Sequence, residues 1–171
     1  MKNLKTTTTK ILSLCLFAAV MVACNKHDHN PSMTVKMHDA PDDYEAVYVE
    51  VEAVTVYHEE EGWIDLKTEA GVYDLLELQN GVEAVLVDDE GFPPGEIEQM
   101  RLILGSKNSV VVDGEEYPMA TPSAQQSGLK IKIDKTFKAD KEYELVFDFR
   151  VDESVVVQGN GTYLLKPVLR L

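Results

Sequence analysis

The chain has 171 residues, with 30 Asp and Glu against 16 Lys and Arg and a formal net charge of −14. A molecule this acidic is repelled by nucleic acid and by anionic lipid head groups, which excludes a nucleic-acid-binding role. The length suits one domain with a sizeable core rather than a multi-domain assembly.

Residues 1–23 read as a targeting segment. Lys2, Lys5 and Lys10 form a basic start, an apolar run follows from Ile11 to Val22, and the small Ala23 precedes Cys24. The run is too short to span a bilayer, which takes about 20 apolar residues. A cysteine directly after such a cleavage point is the acceptor for diacylglycerol in bacterial lipoproteins, so the expectation is a signal peptide over 1–23 and a lipid on Cys24. Met21 stands where that motif more often has Leu, Val or Ile. Removing the leader leaves 148 residues, 13 basic against 30 acidic, and a net charge near −17. Cys15 is lost with the leader and Cys24 is spent on lipid, so the mature part keeps no thiol for a disulfide, a metal or a nucleophile.

Residues 24–32 are polar and aperiodic and read as a flexible tether. Lys26 and Asp28 resemble, loosely, the export signal that sends lipoproteins of Bacteroidetes-type bacteria to the cell exterior. The expected location is therefore the bacterial outer membrane, lipid-anchored and facing outwards, with the periplasmic face as the alternative. His27, Asp28 and His29 offer at most three metal ligands on a tether with no fixed surroundings, and read as solvated linker.

From Met33 to Leu171 the pattern is period two. Val47, Val49 and Val51 alternate with Tyr48, Glu50 and Glu52, after which Val54 and Val56 carry the apolar series on the other parity. A one-residue slip would turn the core face outwards, so a β-bulge is expected near Ala53. Residues 72–78 fit either a strand or a short helical turn. Met100, Leu102 and Leu104 form a later strand. Val110 to Tyr117 reads as a tight hairpin whose Asp113-Gly114 turn is type I′. Leu129, Ile131 and Ile133 form one further strand, and Tyr143, Leu145, Phe147 and Phe149 another. Tyr163, Leu165, Pro167 and Leu169 close the chain, and Pro167 predicts an edge or a break there. Many short strands with varied turns predict an all-β fold, an antiparallel β-sandwich over residues 33–171.

A set of short motifs carries a family resemblance. In order these are His38-Asp39-Ala40-Pro41, Trp63 with Leu66, Tyr73-Asp74-Leu75-Leu76, Asn80-Gly81 and Pro94-Gly95-Glu96 before a strand with Arg101. The 122–130 stretch, Phe147-Asp148-Phe149 and the 163–168 stretch complete it. The chain thereby resembles DUF4382, a bacterial family of unknown function, with His38 where the family usually has Thr. The resemblance implies an immunoglobulin-like or transthyretin-like sandwich on a lipoprotein, and it brings no catalytic residue with it.

Five groups of residues invite a chemical reading. Asp39, Asp42, Asp43, Asp88 and Asp89, with Glu90, could supply the six to eight oxygens Ca²⁺ requires, although their spacing is not that of an EF-hand; the competing reading is turn chemistry. Trp63 and Tyr44, with Tyr48, Tyr57 and Phe92, could stack against a sugar; the competing reading for a single Trp is core packing. Gln125 and Gln126 could hydrogen-bond a ligand or tie down their own loop. His58-Glu59-Glu60-Glu61 reads as an exposed hairpin loop, and Ser123 and Ser127 lack the surroundings of a nucleophile. No catalytic set emerges, so the expected role is non-enzymatic, either binding of an extracellular glycan or protein or a structural part in the envelope, with the membrane touched only through the lipid. A Ca²⁺-dependent adhesion or assembly subunit is the alternative, and an envelope hydrolase working through carboxylates is a third reading.

Overall fold

A computed structural model of the chain describes residues 29–39, 44–121 and 127–171. The leader, Cys24, Asp42, Asp43, Gln125 and Gln126 lie outside the described residues. The alternation of apolar and polar side chains resolves into two sheets.

The smaller sheet has four strands: β1 (Ser32–Asp39), β5 (Ala84–Gly91), β10 (Glu142–Phe149) and β13 (Leu169–Arg170), in the order β13-β10-β1-β5. The larger has nine, and its spine is the 13-residue β2 (Ala46–His58). One flank of β2 pairs with β4 (Gly71–Asp74) and then β3 (Gly62–Leu66). The other pairs with β7 (Ser109–Val112) and then β6 (Gly95–Leu104). β9 (Leu129–Phe137) continues outwards from β6. β8 (Glu115–Ala120), β12 (Tyr163–Leu165) and β11 (Val155–Val157) continue from β7.

The period-two pattern dictates which face each strand buries. Met33, Val35 and Met37 of β1 and Leu145, Phe147 and Phe149 of β10 point inwards from the small sheet. Val47, Val49, Val51, Val54 and Val56 of β2 and Ile97, Met100, Leu102 and Leu104 of β6 meet them from the large one. All are buried, and together they form one core.

Several expectations hold in detail. The β2 register shifts between Val51 and Ala53, so the bulge sits where the parity slip required it. Asp113 and Gly114 have φ of 52° and 76°, as a type I′ turn demands, and Val112 pairs with Glu115 across it. The 72–78 stretch is both things in turn: β4 ends at Asp74, whose carboxylate caps a 3₁₀ turn over Leu75–Leu78 by accepting from the Leu76 N–H. At Pro167 the chain breaks and changes sheet, β12 lying in the large sheet and β13 in the small one. Ser154, at the end of the one-turn helix α1 (Val151–Ser154), holds that crossing: its carbonyl accepts from Lys166 N–H and its hydroxyl from Val168 N–H.

Two ladders depart from the all-antiparallel expectation. β1 runs parallel to β10, and β8 parallel to β12. Both join segments far apart in sequence, so the long connection a parallel pair needs is already present. The ordered domain also reaches into the stretch read as tether. His29 N–H donates to the Asp140 carboxylate at 2.9 Å, and Pro31 C=O accepts from Phe92 N–H.

Candidate functional site

The predicted acidic site does not assemble among the described residues. Asp39 is buried at the end of β1, where its carboxylate accepts from Val151 N–H at 3.1 Å and so caps α1. The Gln79 amide approaches its other oxygen at 3.4 Å. Asp88 and Asp89 project from β5 beside Thr34, whose hydroxyl accepts from Asp89 N–H. Thr34 and Asp39 are five residues apart on one extended strand, roughly 16 Å. Asp89 has φ of 44° at a register shift of the β1–β5 ladder, a conformation Asp tolerates better than most residues. Its placement there is that of a bulge residue. Among the described residues no group of three or more His, Cys, Asp or Glu is arranged to hold a metal ion.

The aromatic expectation separates into parts. Phe92 is core, edge-on to Phe137 at 5.3 Å between ring centroids. Tyr44 packs against the core beside the start of β2, whereas Trp63 pairs with the end of it, roughly 35 Å along the strand. Trp63 and Tyr44 therefore belong to different regions. His58 is buried rather than exposed: its Nδ1 accepts from Glu60 and Glu61 N–H, and its Nε2 lies 3.3 Å from Pro94 C=O. It ties the β2–β3 turn to the turn before β6 and presents nothing to solvent.

Trp63 is a surface residue, 40% exposed. Ile64 and Leu66 take the inner face of β3, and alternation sends Trp63 and Asp65 to the outer one. The ladders then set two rows across that outer face. Trp63, Tyr57, Gln99 and Lys132 are successive partners across β3, β2, β6 and β9. Asp65, Thr55, Arg101 and Lys130 form the adjacent row.

Trp63 and Arg101 reach towards each other from strands on opposite sides of β2. The guanidinium carbon lies 3.7 Å from the indole centroid. Thr55, in the strand between, is buried. Tyr57 meets the indole edge-on at 5.2 Å, so the ring is held from one face and one edge. Its exposed area is then the opposite face and the free edge. Stacking of this kind stabilises by about 0.5–1 kcal/mol at an exposed site and more as it is desolvated.

Beyond Arg101 the face falls into a shallow groove of about 380 Å³ lined by Glu98, Gln99, Lys130, Lys132 and Asp134. Lys132 is paired with Asp134 at 2.5 Å, and this carboxylate raises the Lys132 pKa above its ordinary value. Asp134 adopts φ of 42° at the register shift between β6 and β9, which places it there. Of this surface, sequence reasoning named Trp63 and Tyr57 and missed Gln99, Arg101, Lys130 and Lys132. The available signal was parity: Arg101 alternates with Met100 and Leu102, and the lysines with Leu129 and Ile131.

The sequence profile of DUF4382, a domain of unknown function, matches residues 30–167. The chain belongs to the DUF4382 family. The match spans both sheets of the DUF4382 domain up to Pro167, where the chain changes sheet. No curated protein matches the chain. No helix among the described residues is long and apolar enough to cross a membrane.

Proposed function

We propose that this DUF4382 domain is a lipid-anchored, non-catalytic binding module of the bacterial outer membrane, and that its ligand docks on the outer face of the large sheet around Trp63. One observation carries the reading: the chain's single tryptophan lies on the outside of the sandwich, braced by Arg101 and Tyr57 and open on its other side. An exposed aromatic held in one orientation is pre-organised for a flat ligand, because little side-chain entropy is lost on contact. The anchor rests on the leader and Cys24, with the domain carried outwards on the short segment after it.

Two measurements test this. Growth with labelled fatty acid should label the wild-type protein and leave Cys24→Ala unlabelled; equal labelling of the two removes the anchor. Protease treatment of intact cells should remove the domain while a periplasmic control survives. Survival of both until the membrane is broken would move the module to the inner face.

A further inference from the structure

The outer face around Trp63 carries an arrangement of charge that the fold itself does not require. Arg101 and Lys130 are direct partners across the β6–β9 ladder and share the outer face. Like charges placed opposite each other across a ladder destabilise a sheet. The chain has 30 acidic residues to pair with 16 basic ones, yet neither of these two cations forms an ion pair among the described residues. Arg101 is left further short, because its Nε–H is buried with no acceptor among the described residues. A guanidinium stacked on indole, unpaired and beside an unpaired ammonium, is a positive spot on a negative molecule.

We infer that this face binds an acidic oligosaccharide, one ring of which stacks on the free face of Trp63 while the carboxylate of a neighbouring ring sits between Arg101 and Lys130. This deepens the proposed function and rests on it. The guanidinium and ammonium match a carboxylate in charge and in donors. The rest of the groove matches hydroxyl groups: the Gln99 amide donates and accepts, and the Glu98 and Asp134 carboxylates accept. A saccharide carrying one carboxylate per ring satisfies both halves. An acidic peptide satisfies only the first, since its carboxylate side chains bring no hydroxyl donors to Glu98 and Asp134.

The test is calorimetric titration of the purified full-length chain with a short oligogalacturonate, a neutral oligogalactose of equal length and a poly-glutamate peptide. The oligogalacturonate should bind at least about tenfold more tightly than either of the others, and the difference should shrink as salt screens it. Lys130→Gln and Arg101→Gln should each narrow the preference for the acidic sugar, and Trp63→Ala should abolish binding of both sugars. Lys130 is exposed, so its variant carries the charge test even if Arg101→Gln fails to fold. Equal, Trp63-dependent binding of neutral and acidic sugars would overturn the acidic class and leave the binding face intact. Poly-glutamate binding as tightly as the sugar would overturn the saccharide. Absence of any binding, or binding indifferent to Trp63→Ala, would overturn the site together with the ligand.

Discussion

Asn108→Ala should be among the most damaging single substitutions outside the apolar core. Asn108 is 2% exposed and lies just before β7, where the strand that follows β2 is interrupted between β6 and β7. Its Oδ1 accepts from Glu50 N–H at 2.8 Å, and its Nδ2 donates to Gly105 C=O at 2.8 Å and to Thr121 Oγ1 at 3.1 Å. The side chain thus replaces the ladder bonds that the interruption removes. Truncation strands the Glu50 N–H and the buried Thr121 hydroxyl and removes one bond to the Gly105 carbonyl. Each orphaned group costs about 1–3 kcal/mol, and with partial relaxation the total is about 3 kcal/mol. For a domain of this size that lowers Tm by about 10 °C, read by calorimetry or by circular dichroism. Ser109→Ala, which removes only an exposed bond to Glu116, is the control and should stay within about 0.5 kcal/mol of wild type. A fall in Tm for Asn108→Ala of less than about 2 °C would refute the reasoning, because the bonds would then contribute nothing net.

Two further predictions concern the turns that frame the large sheet. The Glu50 carboxylate folds over residues 105–107, accepting from Lys107 N–H and pairing with its ammonium, and these contacts hold its pKa below the usual glutamate value. A depressed carboxylate pKa gives stability that is present above the unfolded value, near 4.3, and is lost as pH falls through the folded one. Glu50→Gln should therefore flatten the acid limb of stability against pH, and an unchanged limb would contradict the assignment. Gly95→Ala would set a Cβ 2.3 Å from Nε2 of the buried His58. It should destabilise by roughly 2–4 kcal/mol in urea unfolding, and a neutral result would mean that His58 is not held as described.

The strands, their buried faces and the bulge near Ala53 were legible in the sequence because each depends on parity within a few residues. The Asp113-Gly114 turn and the break at Pro167 were legible because each follows from the conformational limits of a named residue. Pairing was not: nothing in the alternation of Val35 and Met37 says that β1 will lie parallel to β10, more than a hundred residues on. Local chemistry also misled where partners came from afar. The acids Asp39 and Asp89 suit a cation in composition, but one caps a helix and the other turns a bulge. Trp63 was legible as an aromatic near a turn, and its outward direction followed from Ile64 and Leu66. Its brace on Arg101 was not, because two strands on opposite sides of β2 had to be placed before the two side chains could meet.

The most direct test of the binding face uses the fact that Trp63 is the chain's one tryptophan, so intrinsic fluorescence reports on that surface alone. Emission and acrylamide quenching should be followed while the full-length chain is titrated with polysaccharide from the outer surface of the cells that carry it. The account predicts a saturable change in emission and a loss of quenching as the exposed indole face is covered. Binding seen by calorimetry with no change in emission or quenching would contradict it, because the ligand would then sit elsewhere on the sandwich.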